Sequence, residues 1–228
     1  MKPLLLLGLF LSSVFSLRAA EPDGKKVEAE APFFVDVQQK ANERLDADLH
    51  GFEGNNLAKF PVGVEEFAGV KFSLGQGYIK LGSKVEPKRP KKVEGIKVDA
   101  KGVRLRILHG TGYGAYGQPG GPLFVADDSN IGEYVVHYED DSTATIPIVY
   151  GVDVRDWWSW GKPAEVKRGK IAWEGTNDFS EEQKQTIRLY LATWENPKPD
   201  LKITKIDYLA KGETAAAPFC IAITLERK

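Results

Sequence analysis

The chain has 228 residues, with 31 basic and 32 acidic side chains, a formal charge of −1 and a single cysteine. Charge so near balance gives no general attraction to nucleic acid or to an anionic membrane. One thiol excludes an intramolecular disulfide, so the stability of the fold must come from packing.

The N-terminus, Met1-Lys2-Pro3, carries one basic side chain ahead of an apolar run over residues 4–16. That run is too short to continue as a stable bilayer anchor and reads as a signal peptide covering residues 1–20, with cleavage near Ala19 or Ala20; a retained anchor is the alternative. Residues 21–32, charged and rich in small side chains, read as a flexible leader. Residues 33–228 are then expected to form a single exported β-sandwich domain, periplasmic or extracellular, with no membrane span.

Strand-like runs separated by Gly, Pro, Asn and Asp recur at short intervals, a pattern of an all-β sandwich rather than of βαβ units. Strands are predicted over 33–37, 70–74, 78–81, 95–98, 103–108, 133–138, 143–150, 170–173, 186–194, 203–209 and 219–225. Alternation in Arg104-Leu-Arg-Ile-Leu108 and in Arg188-Leu-Tyr-Leu-Ala192 predicts strands with one apolar face each. Glu139-Asp-Asp-Ser142 supplies short polar side chains that bond their own backbone, which predicts a hairpin between 133–138 and 143–150. Only 38–47 and 180–185 look helical, the second with Ser180 as N-cap, so both are short connectors. The basic cluster over 84–92 contains two prolines and no aromatic residue and reads as a solvated loop. Cys220, inside an apolar run, reads as a buried inert thiol.

All five tryptophans fall between Trp157 and Trp194. Rings at the rim of a sandwich can stack on the apolar face of a sugar while amides and carboxylates bond its hydroxyls. The competing reading is that these rings fill the core. Adjacent Trp157 and Trp158 cannot both face inward on an extended backbone, so one of them is the candidate exposed ring. The glycine-rich segment from His109 to Gly121 lacks the spacing of a dinucleotide fingerprint and no helix pattern follows it, so it reads as a flexible connection at one end of the sandwich. His50, His109 and His137 show no metal-binding spacing. Asp127, Asp128 and Asn130 gather oxygen ligands that a structural calcium could take, although an ordinary turn accounts for them without a metal, and no other cofactor is implied. Asp153, Asp156, Glu174 and Glu195 are carboxylates near the tryptophans, but no spacing pairs any two of them for glycoside hydrolysis.

The series Gly54-Asn-Asn-Leu57, Phe67-Ala-Gly-Val-Lys-Phe72, Leu108-His-Gly-Thr111, Gly132-Glu-Tyr-Val-Val-His-Tyr138, Ile146-Pro-Ile-Val-Tyr-Gly151, Val154-Arg-Asp-Trp-Trp158, Ala172-Trp-Glu-Gly-Thr-Asn177 and Leu189-Tyr-Leu-Ala-Thr-Trp-Glu-Asn-Pro197 resembles a domain of secreted and surface bacterial proteins. That domain is similar to galactose-binding-like jelly rolls, including the carbohydrate-binding modules found beside glycosidases. The resemblance implies a jelly-roll β-sandwich of two antiparallel sheets with short connecting helices, a sugar or cell-surface polymer as ligand in some relatives, and no catalytic role. On chemistry rather than on a transferable motif, the expected ligand contacts are Trp157, Trp158, Trp160 and Tyr113 by stacking and Asp156, Asn177 and Gln118 by hydrogen bonds. An envelope protein as partner is the second reading, and a glycoside hydrolase the third.

Overall fold

The computed structural model describes residues 30–114, 119–161 and 165–228. The proposed signal peptide, nearly all of the leader, and Gln118 lie outside the described residues. Among the described residues thirteen strands form: β1 (Phe33–Val35), β2 (Glu43–Arg44), β3 (Gly63–Phe67), β4 (Val70–Leu74), β5 (Gly77–Lys80), β6 (Lys92–Ala100), β7 (Arg104–Gly112), β8 (Asn130–Tyr138), β9 (Thr143–Val149), β10 (Lys170–Gly175), β11 (Ile187–Glu195), β12 (Ile203–Ala210) and β13 (Ala217–Glu226). One α-helix, α1 (Asp178–Glu182), and a 3₁₀ turn (Val37–Lys40) join them. Among the described residues no helix is long and apolar enough to cross a membrane.

The strands build a seven-stranded sheet in the order β10-β11-β7-β13-β5-β2, a four-stranded sheet in the order β6-β12-β8-β9 and a two-stranded sheet, β3-β4. β1 shares one side of β13 with β5, and every pairing between named strands is antiparallel. The all-β expectation therefore holds, with the small third sheet as an addition to the two expected. The β8–β9 hairpin forms as predicted, with Asp140 accepting a hydrogen bond from the Ser142 amide at 3.1 Å and Asp141 in the left-handed region at φ 61°.

Both faces of the seven-stranded sheet are buried. One packs against the four-stranded sheet through Ile107, Leu105, Tyr190, Ile223 and Leu225 meeting Ile96, Tyr134, Val136, Ile206 and Tyr208. The other packs Leu108, Leu189, Leu191, Phe219 and Ile221 against Leu49, Leu57, Phe60, Phe72, Trp157 and Trp158. Arg188, Leu189, Tyr190 and Leu191 are consequently all buried, so the single apolar face expected for that strand is replaced by two. A register shift between Cys220 and Ala222 places Ile221 and Ala222 on the same face of β13. Such a bulge leaves one residue unpaired and re-aims its neighbours.

Two helical expectations are corrected. Within 38–47 the structure has only the 3₁₀ turn, capped by Asp36 accepting from the Gln38 amide, followed by β2. The Gln38 side chain donates to the Gly77 carbonyl and accepts from the Gly77 amide, which ties this segment to β5. The second helix begins earlier than expected because Asn177, not Ser180, is its N-cap; Ser180 completes a reciprocal capping box at the third position. The glycine-rich segment is also corrected at its start, since β7 continues to Gly112. A Cβ on Gly110 would stand 2.6 Å from the Phe219 ring, so glycine here reflects close packing within a strand rather than a flexible loop.

Double-sided burial makes β13 the least tolerant strand. Ile223→Ala should lower unfolding free energy by about 2–5 kcal/mol, whereas Val64→Ala, on the exposed face of β3, should change it by no more than about 0.5 kcal/mol; urea denaturation of the two variants tests the contrast.

Candidate functional site

The site grows from three irregular segments laid on the second face of the large sheet. The first runs from Leu49 to Leu57, a turn whose amides and side chains bond one another: Asn55 donates from its side chain to the Leu49 carbonyl at 3.1 Å, and the Leu49 amide donates to the Asn55 carbonyl at 2.8 Å. The second is Asp156-Trp-Trp-Ser-Trp160. Its backbone is stitched to two strands at once, with the Trp157 amide donating to the Thr111 carbonyl and the Arg188 amide donating to the Trp157 carbonyl, each at 2.8 Å. The third is α1.

Asn55 binds these segments together. Its side-chain oxygen accepts from the Trp158 indole N–H at 3.0 Å and from the Asn177 amide at 3.3 Å. Asn177 also donates to the Asn56 carbonyl and caps α1, so its side chain is committed within the fold. It is buried and does not line the pocket described below, which places it in a structural position rather than the ligand-bonding position expected from sequence.

Between the segments lies a pocket of about 340 Å³ lined by Tyr113, Asp156, Trp157, Trp158 and Trp160 together with His50, Phe52, Asn55, Leu123, Phe179 and Gln183. Five of the residues singled out in the sequence thus meet in one concavity. Trp157 and Trp158 are both buried, against the expectation that one would be exposed. The reason is the departure of this segment from a regular strand: isolated bridges hold Asp156 beside Thr111 and Trp158 beside Ile187, while the Asp156 carboxylate accepts from the Trp158 amide at 3.1 Å. Trp157 then stands edge-on to Phe219, with centroids 6.0 Å apart, and Trp158 stacks on Trp160 at 5.0 Å.

The accessible rings are Trp160, Tyr113 and Phe179, each half-buried, and Phe52, which is 51% exposed. Phe52 stacks on Phe179 with centroids 4.8 Å apart and planes 12° apart. Neither phenylalanine was singled out from sequence. The available signal was the Gly- and Asn-rich turn His50-Gly-Phe-Glu-Gly-Asn-Asn56, which sits just beyond the run read as helical. Tyr113 and Trp160 both lie in the left-handed region, at φ 64° and 47°, an uncommon conformation for aromatic residues. Burial pushes the Tyr113 phenol up to about 12, with Glu86 and Asp156 adding to the shift, so it remains a neutral hydrogen-bonding group.

Behind His50 lies an ion cluster. Glu86, from the predicted basic loop, meets the buried Lys80 of β5 at 3.0 Å, Arg89 at 3.5 Å and the His50 Nδ1 at 3.5 Å, while Arg89 also pairs with Glu43. Burial acts to raise the Glu86 pKa, but His50 and Lys80 outweigh it and hold the carboxylate at about 2. Burial also lowers the His50 pKa, an effect that Glu86 only partly opposes, and keeps the imidazole neutral. The loop over 84–92 is thus solvated along its outer lysines and anchored within by Glu86 and Arg89.

The other candidates are dispersed. Asp127 forms a bidentate pair with Arg155, Asp128 pairs with Lys167, and the Asn130 side chain accepts from the Gly132 amide. Among the described residues no group of three His, Cys, Asp or Glu side chains converges as a metal site. Asp153 is bound by Arg168 and Glu195 by Arg104, whereas Asp156 lines the aromatic pocket. Cys220 is buried beside Tyr134, and burial raises its thiol to about 12.

No family model, curated protein or solved structure matches this chain. What the fold and site define is therefore a class only: an all-β protein with an aromatic pocket on the outer face of its central sheet.

A second cavity of about 250 Å³ lies between the sheets, lined by His109, Tyr134, Ile146, Asp153, Arg168 and Trp194 among others. His109 is buried with Nδ1 3.4 Å from the Tyr134 hydroxyl, and burial lowers its pKa from 6.5 to about 4, opposed by Asp153. Between those values the unfolded chain holds a proton that the folded chain does not, so acidification favours unfolding. Stability should fall by up to about 3 kcal/mol from this group as pH drops from 6.5 to 4. Urea midpoints across that interval should decline more steeply for the native chain than for His109→Gln; parallel curves would assign the pH dependence elsewhere.

Proposed function

We propose that this protein is a non-enzymatic exported binding domain that takes one sugar ring, free or at the end of a polymer, in the pocket bounded by Trp160, Tyr113 and Phe52. The observation that supports this reading most is the meeting of four accessible aromatic rings with the Asp156 carboxylate and the His50 imidazole at a single concavity. A volume of about 340 Å³ falls within the range of small-ligand pockets, roughly 300–1,000 Å³, which are mostly apolar with a few placed polar groups. An apolar sugar face laid on Trp160 or Phe52 would leave its hydroxyls to Asp156, His50 and Gln183. The jelly-roll class belongs to the same proposal, since two packed antiparallel sheets with loops gathered at a ligand face accord with the resemblance.

A second reading rests on a different observation. Among the described residues β3 pairs only with β4, and its neighbourhood exposes Val62 (46%) and Val64 (59%), so its other edge would offer backbone hydrogen bonds to an extended segment of an envelope protein.

A glycan array probed with residues 21–228 separates the two readings. Under the sugar proposal, at least one glycan binds selectively, and Trp160→Ala or Phe52→Ala lowers its affinity by about tenfold or more while leaving the thermal midpoint within a few degrees. Trp157→Ala, by contrast, should destabilise the fold by about 3–5 kcal/mol. A silent array, or unchanged retention by the Trp160 and Phe52 variants, would remove the sugar site and direct attention to the β3 edge.

A further inference from the structure

We infer that His50 is the specificity-determining residue of the pocket, presenting a fixed hydrogen-bond acceptor that admits ligands carrying a hydroxyl donor over isosteric ligands without one. The inference rests on the pocket reading above and extends it to a named atom. Three features of the structure converge on it.

The ring is held from behind. Its Nδ1 lies 3.5 Å from Glu86 Oε1, an electrostatic contact rather than a hydrogen bond, and that carboxylate is in turn paired with the buried Lys80 and with Arg89. A neutral imidazole carries its proton on one nitrogen, and an ionised carboxylate beside Nδ1 draws the proton there. Nε2 then keeps its lone pair and serves as the acceptor of the edge turned away from Glu86.

The ring is also held from the sides. Tyr113 packs against it with centroids 4.2 Å apart, and a Cβ on Gly112 would stand 2.8 Å from both His50 Cε1 and Nε2. Any side chain at position 112 would displace the imidazole, so glycine at the end of β7 is part of the seat.

Finally, the backbone of His50 lies in the left-handed region at φ 61°, next to Gly51 at φ 76°. Such a conformation is costly for a residue with a side chain, although histidine tolerates it better than most. The turn thus accepts strain and delivers the imidazole to the wall that it shares with Asp156 and Tyr113.

Phenol and toluene, which have nearly the same shape and differ by one hydroxyl, test the inference without a known ligand. Titrations followed by tryptophan fluorescence should show both entering the pocket. His50→Phe, which keeps a ring against Tyr113, should weaken phenol by about tenfold, as expected for loss of one hydrogen bond, and leave toluene within about twofold. Glu86→Gln, which keeps the shape but frees the tautomer, should weaken phenol in the same direction, with thermal melting used to confirm that each variant is folded. Equal losses for both probes, no loss for either, or failure of phenol to bind the native chain would overturn the inference. A glycan that binds and is insensitive to His50→Phe would also overturn it while leaving the sugar reading intact. A silent array with the phenol effect present would remove the sugar reading and keep the role of His50.

Discussion

The structure depends on a sheet whose central strands are buried on both faces. β13, at the centre of the seven-stranded sheet, is buried along Ala217–Leu225 and touches an apolar layer on each side. Burying one face of a sheet is the ordinary requirement of a sandwich. Burying both means that part of the stabilising apolar contact must come from something other than the partner sheet, and here it comes from the chain between Leu45 and Leu74 together with the Trp157–Trp158 segment. Removing apolar surface from water on both faces makes every substitution in β13 a core substitution.

That second layer is irregular, and its irregularity creates the pocket. Regular elements would lay side chains at even spacing and close the surface. Here the layer consists of a two-stranded sheet, a turn, an isolated pair of bridges and a helix of five residues, so its backbone groups must find partners outside regular ladders. Asn55, Asn177 and Asp156 supply those partners: the two asparagines donate to backbone carbonyls, while Asn55 and Asp156 accept from the Trp158 indole and backbone N–H groups. Side chains arranged to satisfy loop backbone leave gaps that side chains arranged to fill space would not. The concavity falls where the three loops meet, and the rings around it are those that also cover the sheet beneath.

Strands with strong alternation or long apolar runs were legible because burial imposes those patterns directly. All eleven predicted strands exist, with ends shifted by a few residues. The two missed strands carry no such pattern: β2 has two residues, and β3, Gly63-Val-Glu-Glu-Phe67, is largely exposed and gains its order from pairing with β4. The 38–47 run was read as helix because its local composition favours one, and long-range bonds from Gln38 and Asn42 to β5 override that preference. At the site, the cluster Asp156-Trp-Trp-Ser-Trp160 was visible as an aromatic concentration, but its backbone direction was not. The alternation argument for Trp157 and Trp158 failed since two separate strands hold that backbone. Phe52 and His50 were invisible for a different reason: their importance arises from contacts across the fold with Phe179, Tyr113 and Glu86.

Two expenditures of stability fall at the same wall of the pocket. A buried lysine paired with a glutamate contributes little net stability against apolar residues of similar volume, because desolvating both charges offsets their attraction. A left-handed histidine adds backbone strain. Neither is required by the sandwich, whose core closes around Ile107, Tyr190 and Ile223 without them. Both are accounted for by one arrangement: His50 and Lys80 hold Glu86 ionised, Arg89 pairs with it, and the strained turn places the imidazole between that carboxylate and the aromatic concavity. Polar groups that bring no net stability yet converge on a cavity have the character of a binding wall. On the binding role proposed for this pocket, its apolar rings would set the shape of what enters, and the Lys80–Glu86–His50 chain would set which of those shapes also satisfies a hydrogen bond.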